Sequence, residues 1–279
     1  MGLCFGVRDA IELARDRARQ GPISLLGELV HNPAVMDDLS SRGVRIECVP
    51  EPDRTSPLMI TAHGISERRR SALKALGREL IDGTCPLVRS AHQALKGLCA
   101  HGYFPVIVGL RDHVEVRGLT EDLTDYAVIR SRAEVEALPE RTRYGIVAQT
   151  TQPIDLVHTL VDQCHRCFPT SEVRFVDTVC RPTKQHQTAA VELAQRSDVV
   201  LVIGGRHSNN TRELASTCAR HCKKVHHIVD HDELREEWLQ EAQTVGLTAG
   251  TSTPDSVIDA VEQKLEKWFN ADATTSSAR

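Results

Sequence analysis

The feature that most constrains this chain is a pattern that occurs three times. Cys4, Cys85 and Cys180 each open a helix-like stretch: Cys4-Phe-Gly-Val-Arg-Asp-Ala-Ile, Cys85-Pro-Leu-Val-Arg-Ser-Ala-His and Cys180-Arg-Pro-Thr-Lys-Gln-His. A second mark is a loop after a Gly-ended apolar run. It reads Gly27-Glu-Leu-Val-His31-Asn-Pro, then Gly109-Leu-Arg-Asp-His113-Val-Glu, then Gly204-Gly-Arg-His207-Ser-Asn-Asn. A third mark is a strand-like run into small polar residues: Met59-Ile-Thr-Ala-His63-Gly, Ile146-Val-Ala-Gln-Thr150-Thr-Gln-Pro and Gly246-Leu-Thr-Ala-Gly-Thr-Ser252-Thr-Pro. The cysteines are 81 and 95 residues apart and the loop histidines 82 and 94, so the marks keep register. Self-similarity at a fixed period is the signature of a repeat architecture. Spacings this long exclude a zinc finger. A pseudo-threefold fold could bring the three thiols to one axis, and three thiolates leave a [4Fe-4S] cluster one open iron.

Secondary-structure signals agree with the repeat. Apolar β-rich runs are expected at 23–26, 58–61, 106–108, 144–147, 173–176, 199–203 and 245–248, with a further short run at 79–81. Between them, helical spacing covers 10–18, 66–76, 91–99, 154–167, 188–196 and 257–268. Strands alternating with helices argue for parallel α/β units. The expected organisation is three α/β repeats, residues 5–85, 86–177 and 178–268. Residues 1–4 dock near the third, and 270–279 form a flexible tail. Pro33, Pro153 and Pro254 each fall where a first helical residue would sit.

Composition excludes several classes. A net charge of −4 and 4% aromatic residues give no footprint for nucleic acid. The longest purely apolar run, Val199 to Ile203, is far too short to span a bilayer, so no membrane partner is expected. Met1 leads into Gly2-Leu3-Cys4 without an export signal, and nine cysteines then fit a reducing, cytoplasmic setting with thiols unpaired or metal-bound.

In parallel α/β domains ligands bind beyond the carboxyl ends of the strands. The polar loops of the repeat sit there, and helix N-termini favour anions, phosphate above all. Ser208-Asn209-Asn210 precedes a helix expected over 211–220, Ser252 precedes one beginning near Pro254, and His31 and His63 stand at the corresponding turns of the first repeat. The set is rich in neutral hydrogen-bonders and lacks the Walker-type Gly-Lys-Ser/Thr signature of nucleotide triphosphate chemistry.

Taken together, Gly2-Leu-Cys4-Phe-Gly-Val, Val30-His31-Asn32, Ala62-His63-Gly64, Asp82-Gly-Thr-Cys85-Pro-Leu-Val, His113-Val-Glu115-Val, Gln149-Thr150-Thr151, Cys180, Ser208-Asn-Asn210 and Thr248-Ala-Gly-Thr-Ser252-Thr-Pro-Asp255 resemble the LytB/IspH family of 4-hydroxy-3-methylbut-2-enyl diphosphate reductases. These stretches run from about residue 2 to residue 260. The resemblance implies a trefoil of three α/β domains around a central [4Fe-4S] cluster held by Cys4, Cys85 and Cys180. It implies removal of an allylic hydroxyl with two electrons and two protons, giving isopentenyl and dimethylallyl diphosphate plus water in non-mevalonate isoprenoid synthesis. Glu115 matches the proton-delivering glutamate, a role a carboxyl can fill, and His113 and Thr150 match its proton network. His31, His63, His113, Thr150, Ser208, Asn209, Asn210 and Ser252 match substrate contacts, with the diphosphate as the anchored end. An electron donor such as ferredoxin or flavodoxin is implied as partner.

This chain departs from the family pattern at three places. Arg117 replaces an acid two residues after Glu115. On an extended segment the two would share a face, so Arg117 either lowers the carboxyl's pKa or points into solvent. Asn209 replaces a serine. The runs before Cys85 and Cys180 have no counterpart before Cys4, so either the start is misassigned or one sheet lacks a strand beside a cluster ligand. If coding sequence lies upstream, its addition is expected to raise cluster occupancy. Alternative readings are a quinolinate-synthase-like open-iron dehydratase, a non-enzymatic cluster-based redox sensor and a zinc-bound structural protein. The first needs cations at the pocket, for which Arg111 and Arg206 are the only hints. Cys164, Cys167, Cys218 and Cys222 suggest no second metal site, and Cys48 and Cys99 read as buried thiols. His226, His227 and His231 read as a surface connection, and 233–237 as a solvated helical face.

Overall fold

The computed structural model describes residues 2–51 and 54–276, the side chains of 271–276 excepted. It contains three all-parallel sheets of the same plan. The first repeat runs α1 (Phe5–Gln20), β1 (Ser24–Leu25), α2 (Pro33–Ser41), β2 (Arg45–Ile46), β3 (Leu58–Ile60), α3 (Glu67–Lys74), β4 (Leu80–Asp82). The second runs α4 (Pro86–Ala100), β5 (Phe104–Val108), α5 (Val114–Thr120), β6 (Ala127–Ile129), α6 (Arg132–Glu136), β7 (Arg143–Ala148), α7 (Ile154–Cys167), β8 (Glu172–Phe175). The third runs α8 (Arg181–Gln195), β9 (Val199–Ile203), α9 (Asn209–Ala219), β10 (Lys224–Ile228), β11 (Val245–Ala249), α10 (Asp255–Ser276).

The strand orders are β2-β1-β3-β4, β6-β5-β7-β8 and β10-β9-β11. In each, the first strand of the repeat lies between the second and the third. Among the described residues β11 pairs with β9 alone, so the third sheet has no counterpart of β4 and β8. The chain divides into two compact units, one of residues 1–5, 31–38 and 185–279 and one of 6–30 and 39–184. The first unit holds the third sheet and the second holds the other two.

Apolar runs become doubly covered strands because side chains alternate between the two faces of a sheet. On β5, Phe104, Val106 and Val108 pack with Val157, Leu160 and Val161 of α7, while Ile107 faces Ala91, Leu95 and Leu98 of α4. On β9, Val199, Leu201 and Ile203 meet Ile258, Val261 and Leu265 of α10, while Val200 and Val202 meet Ala190 and Ala194 of α8 and Leu214 of α9. Burial of each such aliphatic side chain contributes about 1.5–3 kcal/mol. No helix among the described residues is long and apolar enough to cross a membrane.

Several expectations are corrected. Three strands lie outside the expected runs: β2 and β10 carry no clean apolar signal and are defined by parallel pairing to β1 and β9, whereas β6 is a short apolar run, Ala127–Ile129, paired to β5. His226 and His227 lie half-buried in β10 rather than on a surface connection. The expected helical face at 233–237 is instead the junction of two 3-10 turns, His231–Glu233 and Glu236–Leu239. Helix α10 continues to Ser276, into the segment expected to be a flexible tail, and residues 277–279 lie outside the described residues. Pro33 does begin α2, but Pro153 caps α7 and α10 begins at Asp255, one residue after Pro254. Cys48 is exposed and Cys99 half-buried, so neither is the buried thiol expected.

Candidate active site

The three repeat cysteines occupy one structural position. Each stands immediately before a helix, α1, α4 or α8, of 16, 15 and 15 residues. Each cysteine amide donates to the carbonyl two residues beyond the third strand of a sheet. Cys4 N reaches Thr251 O at 3.0 Å, Cys85 N reaches Ala62 O at 3.1 Å, and Cys180 N reaches Thr150 O at 3.0 Å. All three are half-buried, and none is in a disulfide. The Cys85 sulfur lies in reach of the Leu87 and Val88 amides at the start of α4; burial, the larger effect, pushes its pKa up. Cys180 Sγ lies 3.0 Å from the Thr183 hydroxyl. Gly6 leaves the Cys85 sulfur its room, since a Cβ there would lie 2.4 Å from it. Half-buried thiols at helix N-termini, with amides and a hydroxyl to offset thiolate charge, fit the ligands of an iron-sulfur cluster.

In the second unit, His113 caps α5, its Nδ1 accepting the Glu115 amide at 3.2 Å. A ring nitrogen that accepts a backbone N–H carries no proton, which leaves the Nε2 position for the N–H of the neutral ring. His113 packs edge-on against His63, with ring centroids 5.6 Å apart. Glu115 is 2% exposed and held by one residue: the Thr150 amide donates to Oε1 at 2.7 Å and the Thr150 hydroxyl to Oε2 at 3.0 Å. Burial pushes the Glu115 pKa up to about 7, against the opposing effect of those two hydrogen bonds. Thr150 thus ties the acid to the turn that carries Cys180. Gln149 fixes this turn from behind, its Oε1 accepting from Leu110 N and Gln152 Nε2 at 3.1 and 3.0 Å.

This overturns the extended reading of 113–117. Glu115 is in the first turn of α5, where residues two apart lie on nearly opposite faces. Arg117 is accordingly exposed while Glu115 is buried, and Arg117 does not contribute to the carboxyl's shift, which runs upward. The register of the loops also moves by one residue. The caps after the first strand of each repeat are Asn32, His113 and Ser208, so His31 and His207 each precede a cap.

In the first unit, Ser208 caps α9, accepting from Thr211 N at 3.3 Å. Asn209 and Asn210 form the first turn of that helix rather than a loop before it. Asn210 is 5% exposed and Ser252 7%, yet Asn210 Nδ2 and Ser252 Oγ have no hydrogen-bond partner. A buried polar atom without a partner costs about 1–3 kcal/mol, and a polar ligand would repay it. The backbone of His31 runs against the same loop, since a Cβ on Gly205 would lie 2.1 Å from the His31 carbonyl oxygen. The cations that would favour a carboxylate ligand are engaged elsewhere. Arg206 bonds Glu233 at 2.7 Å and His227 O at 3.0 Å, and Arg111 reaches Val128 O at 3.3 Å.

Sequence reading missed Gly6, Gly205 and Gln149, whose parts are steric or supportive and leave no mark in residue type. Asn32 is the repeat equivalent of His113 as a cap, which its residue type does not reveal.

Fold and site together define an α/β repeat protein with parallel sheets, half-buried thiols at three helix starts, a buried carboxylic acid and unsatisfied polar atoms in the turns that follow strands. The family model described as LytB protein matches residues 1–266. A Thermoanaerobacter protein named 4-hydroxy-3-methylbut-2-enyl diphosphate reductase is 38% identical over 95% of this chain and 93% of its own length. A protein of the same name from Aquifex aeolicus is 34% identical over 95% and 93%. A solved structure of (E)-4-hydroxy-3-methyl-but-2-enyl diphosphate reductase, described as the terminal enzyme of the non-mevalonate pathway, is 33% identical, covers 95% of this chain and 96% of its own, and superposes with a TM-score of 0.69. The Plasmodium falciparum reductase structure, 24% identical with a TM-score of 0.85 over 95% and 84%, supports the fold alone. The chain belongs to the LytB family.

Proposed function

We propose that this chain reduces 4-hydroxy-3-methylbut-2-enyl diphosphate. Two electrons and two protons replace the allylic C–O bond, giving isopentenyl and dimethylallyl diphosphate and one water. The observation that carries the proposal is Glu115: a buried acid with a pKa near 7, gripped by Thr150 in the turn that also receives the Cys180 amide. Membership of a family whose relatives bear the reductase name supports the substrate.

Cys4, Cys85 and Cys180 would hold a [4Fe-4S] cluster, around which the repeats 5–85, 86–177 and 178–268 form a trefoil. When bound, it supplies single electrons and Lewis acidity. The protein's residues do the rest. Glu115, whose pKa of about 7 keeps a sizeable share of the neutral acid at neutral pH, gives its proton to the departing oxygen, because a hydroxide leaves far more readily as water. Thr150 fixes the carboxyl through two contacts, and its hydroxyl can pass a proton along the same line. His113, with Nδ1 committed to its cap, presents Nε2, and His63 buttresses the ring. In the first unit, Asn210, Ser252, Ser208, Asn209 and His31 take the diphosphate, whose charge suits a helix N-terminus. A ferredoxin or flavodoxin type of carrier would supply the electrons.

The test is turnover by anaerobically reconstituted protein with a reduced viologen dye. Consumption of the diphosphate alcohol with both products formed is expected, and no turnover with a full cluster would sink the reading. Glu115→Gln should keep cluster and substrate binding and lose roughly 100-fold in rate, the usual scale for an acid catalyst.

A further inference from the structure

One arrangement outside the groups already given a role recurs at two of the three cysteines. Asp82 stands three residues before Cys85 and Arg89 four after it; Asp177 and Lys184 hold the same places around Cys180. The two sites share one pattern of contacts, to which Asp82 adds the Thr84 hydroxyl at 2.6 Å on Oδ1 and Arg70 at 2.8 Å on Oδ2. One carboxylate oxygen takes the amide just before the cysteine, Thr84 N to Asp82 Oδ1 at 3.0 Å and Val179 N to Asp177 Oδ1 at 3.1 Å. The other takes the cation, Arg89 Nη2 to Asp82 Oδ2 at 3.3 Å and Lys184 Nζ to Asp177 Oδ2. Each carboxylate therefore ties the turn entering the cysteine to the first turn of the helix leaving it, with the cysteine between the two anchor points.

Stability does not explain these pairs. A cation in the first turn of a helix works against the helix dipole, and α1, α4 and α8 carry no acid there to offset it. Partly exposed ion pairs add little to global stability. Two such pairs at the same sequence offsets, bracketing equivalent cysteines, fix a local position instead. In the first repeat the corresponding residue is Met1, which offers no carboxylate, although Arg8 keeps the cationic place. There the Asp255 carboxylate lies against Gly2, where a Cβ would come within 2.5 Å of its Oδ1.

We propose that Asp82 with Arg89 and Asp177 with Lys184 are positioning pairs that hold the Cys85 and Cys180 sulfurs in ligand-ready turns before any cluster is present. The inference rests on the reading of these cysteines as cluster ligands, and the experiment separates the two. In the cluster-free chain under argon, alkylation of each cysteine by iodoacetamide is followed by site-resolved mass spectrometry. Asp177→Ala should speed alkylation of Cys180 roughly threefold or more and leave Cys85 unchanged, because thiol reactivity follows access and local charge. Asp82→Ala should do the reverse. Asp177→Asn, which keeps an oxygen for the Val179 amide but not the charge, should fall between wild type and Asp177→Ala.

A merely structural role would move both cysteines together, and that result, or unchanged rates, overturns the proposal. Asp82 also bonds Arg70 at 2.8 Å. If Asp82→Ala does not fold, Arg89→Met and Lys184→Met test the same pairs with the carboxylates in place and should each accelerate only their own cysteine. In the reconstituted chain, Asp177→Ala should lose iron to a ferrous chelator about tenfold faster, the usual scale for a residue behind a metal ligand. If the wild type takes up no cluster, the ligand reading fails while the alkylation pattern still decides the clamp.

Discussion

Glu115 holds the largest share of the proposed chemistry in one residue, and its burial makes a pH prediction. Its pKa in the fold, about 7, lies above the ordinary 4.5. The folded state therefore favours the neutral acid: the advantage is complete below about 4.5 and is lost as pH rises through about 7. In cluster-free protein, stability should fall by on the order of 3 kcal/mol across that window from this group. Glu115→Gln should flatten the dependence, which urea titrations at pH 5 and pH 8 would measure. An equal pH slope in the variant would show that the carboxyl is ionised in the fold. Asn210 and Ser252 make the opposite kind of prediction. Ser252→Ala removes a hydroxyl that has no partner, so the ligand-free protein should be unchanged or up to about 1 kcal/mol more stable. KM for the diphosphate substrate should nonetheless rise roughly tenfold, the equivalent of one lost hydrogen bond to a charged group. A variant with unchanged KM would place the diphosphate elsewhere.

At the scale of elements, the work is done by strand-to-helix turns. Each helix that follows a cysteine is held at its start by a backbone bond to a turn after a third strand, so sulfur positions depend on sheet geometry rather than on local propensity. The turns after β9 and β11 show how closely the elements approach. Gly205 faces the His31 carbonyl, and Gly250 faces the Thr211 hydroxyl, where a Cβ would lie 2.1 Å away. Gly205→Ala must push backbone from backbone and should cost about 2 kcal/mol or more. Gly250→Ala meets a side chain that can rotate and should cost less. Thermal unfolding of the two variants in parallel would check this order.

At the scale of the molecule, three repeats each supply one cysteine. Serine at any one of these positions should leave the sheets intact, because all three thiols are half-buried rather than fully enclosed and each stands before a helix rather than in a strand. Circular dichroism should therefore stay native in Cys4→Ser, Cys85→Ser and Cys180→Ser, while iron and sulfide per chain after anaerobic reconstitution fall well below wild type in all three. Full iron content in any one of them would remove that residue from the ligand set. The three need not be equal, since Cys4 lacks the aspartate that brackets the other two.

Much of this was legible in the residues. The repeat, the alternation of strands and helices, and the strands at 58–60 and 199–203 follow from apolar runs and their punctuation, which are local signals. So do the helix-start cysteines and the polar loops that follow strands. Tertiary structure alone decided the rest. Strands β2 and β10 exist because a neighbour pairs with them. Glu115 is buried because its short helix turns that face inward, which made Arg117 irrelevant to it and reversed the direction its pKa was open to taking. Residue type does not show what Asp82 and Asp177 do; only in space do their two oxygens reach an amide and a cation on opposite sides of a cysteine. Sequence fixes periodicity and chemistry because these are properties of neighbours along the chain. Burial, pairing and pKa belong to neighbours in space, and only the packed protein assigns them.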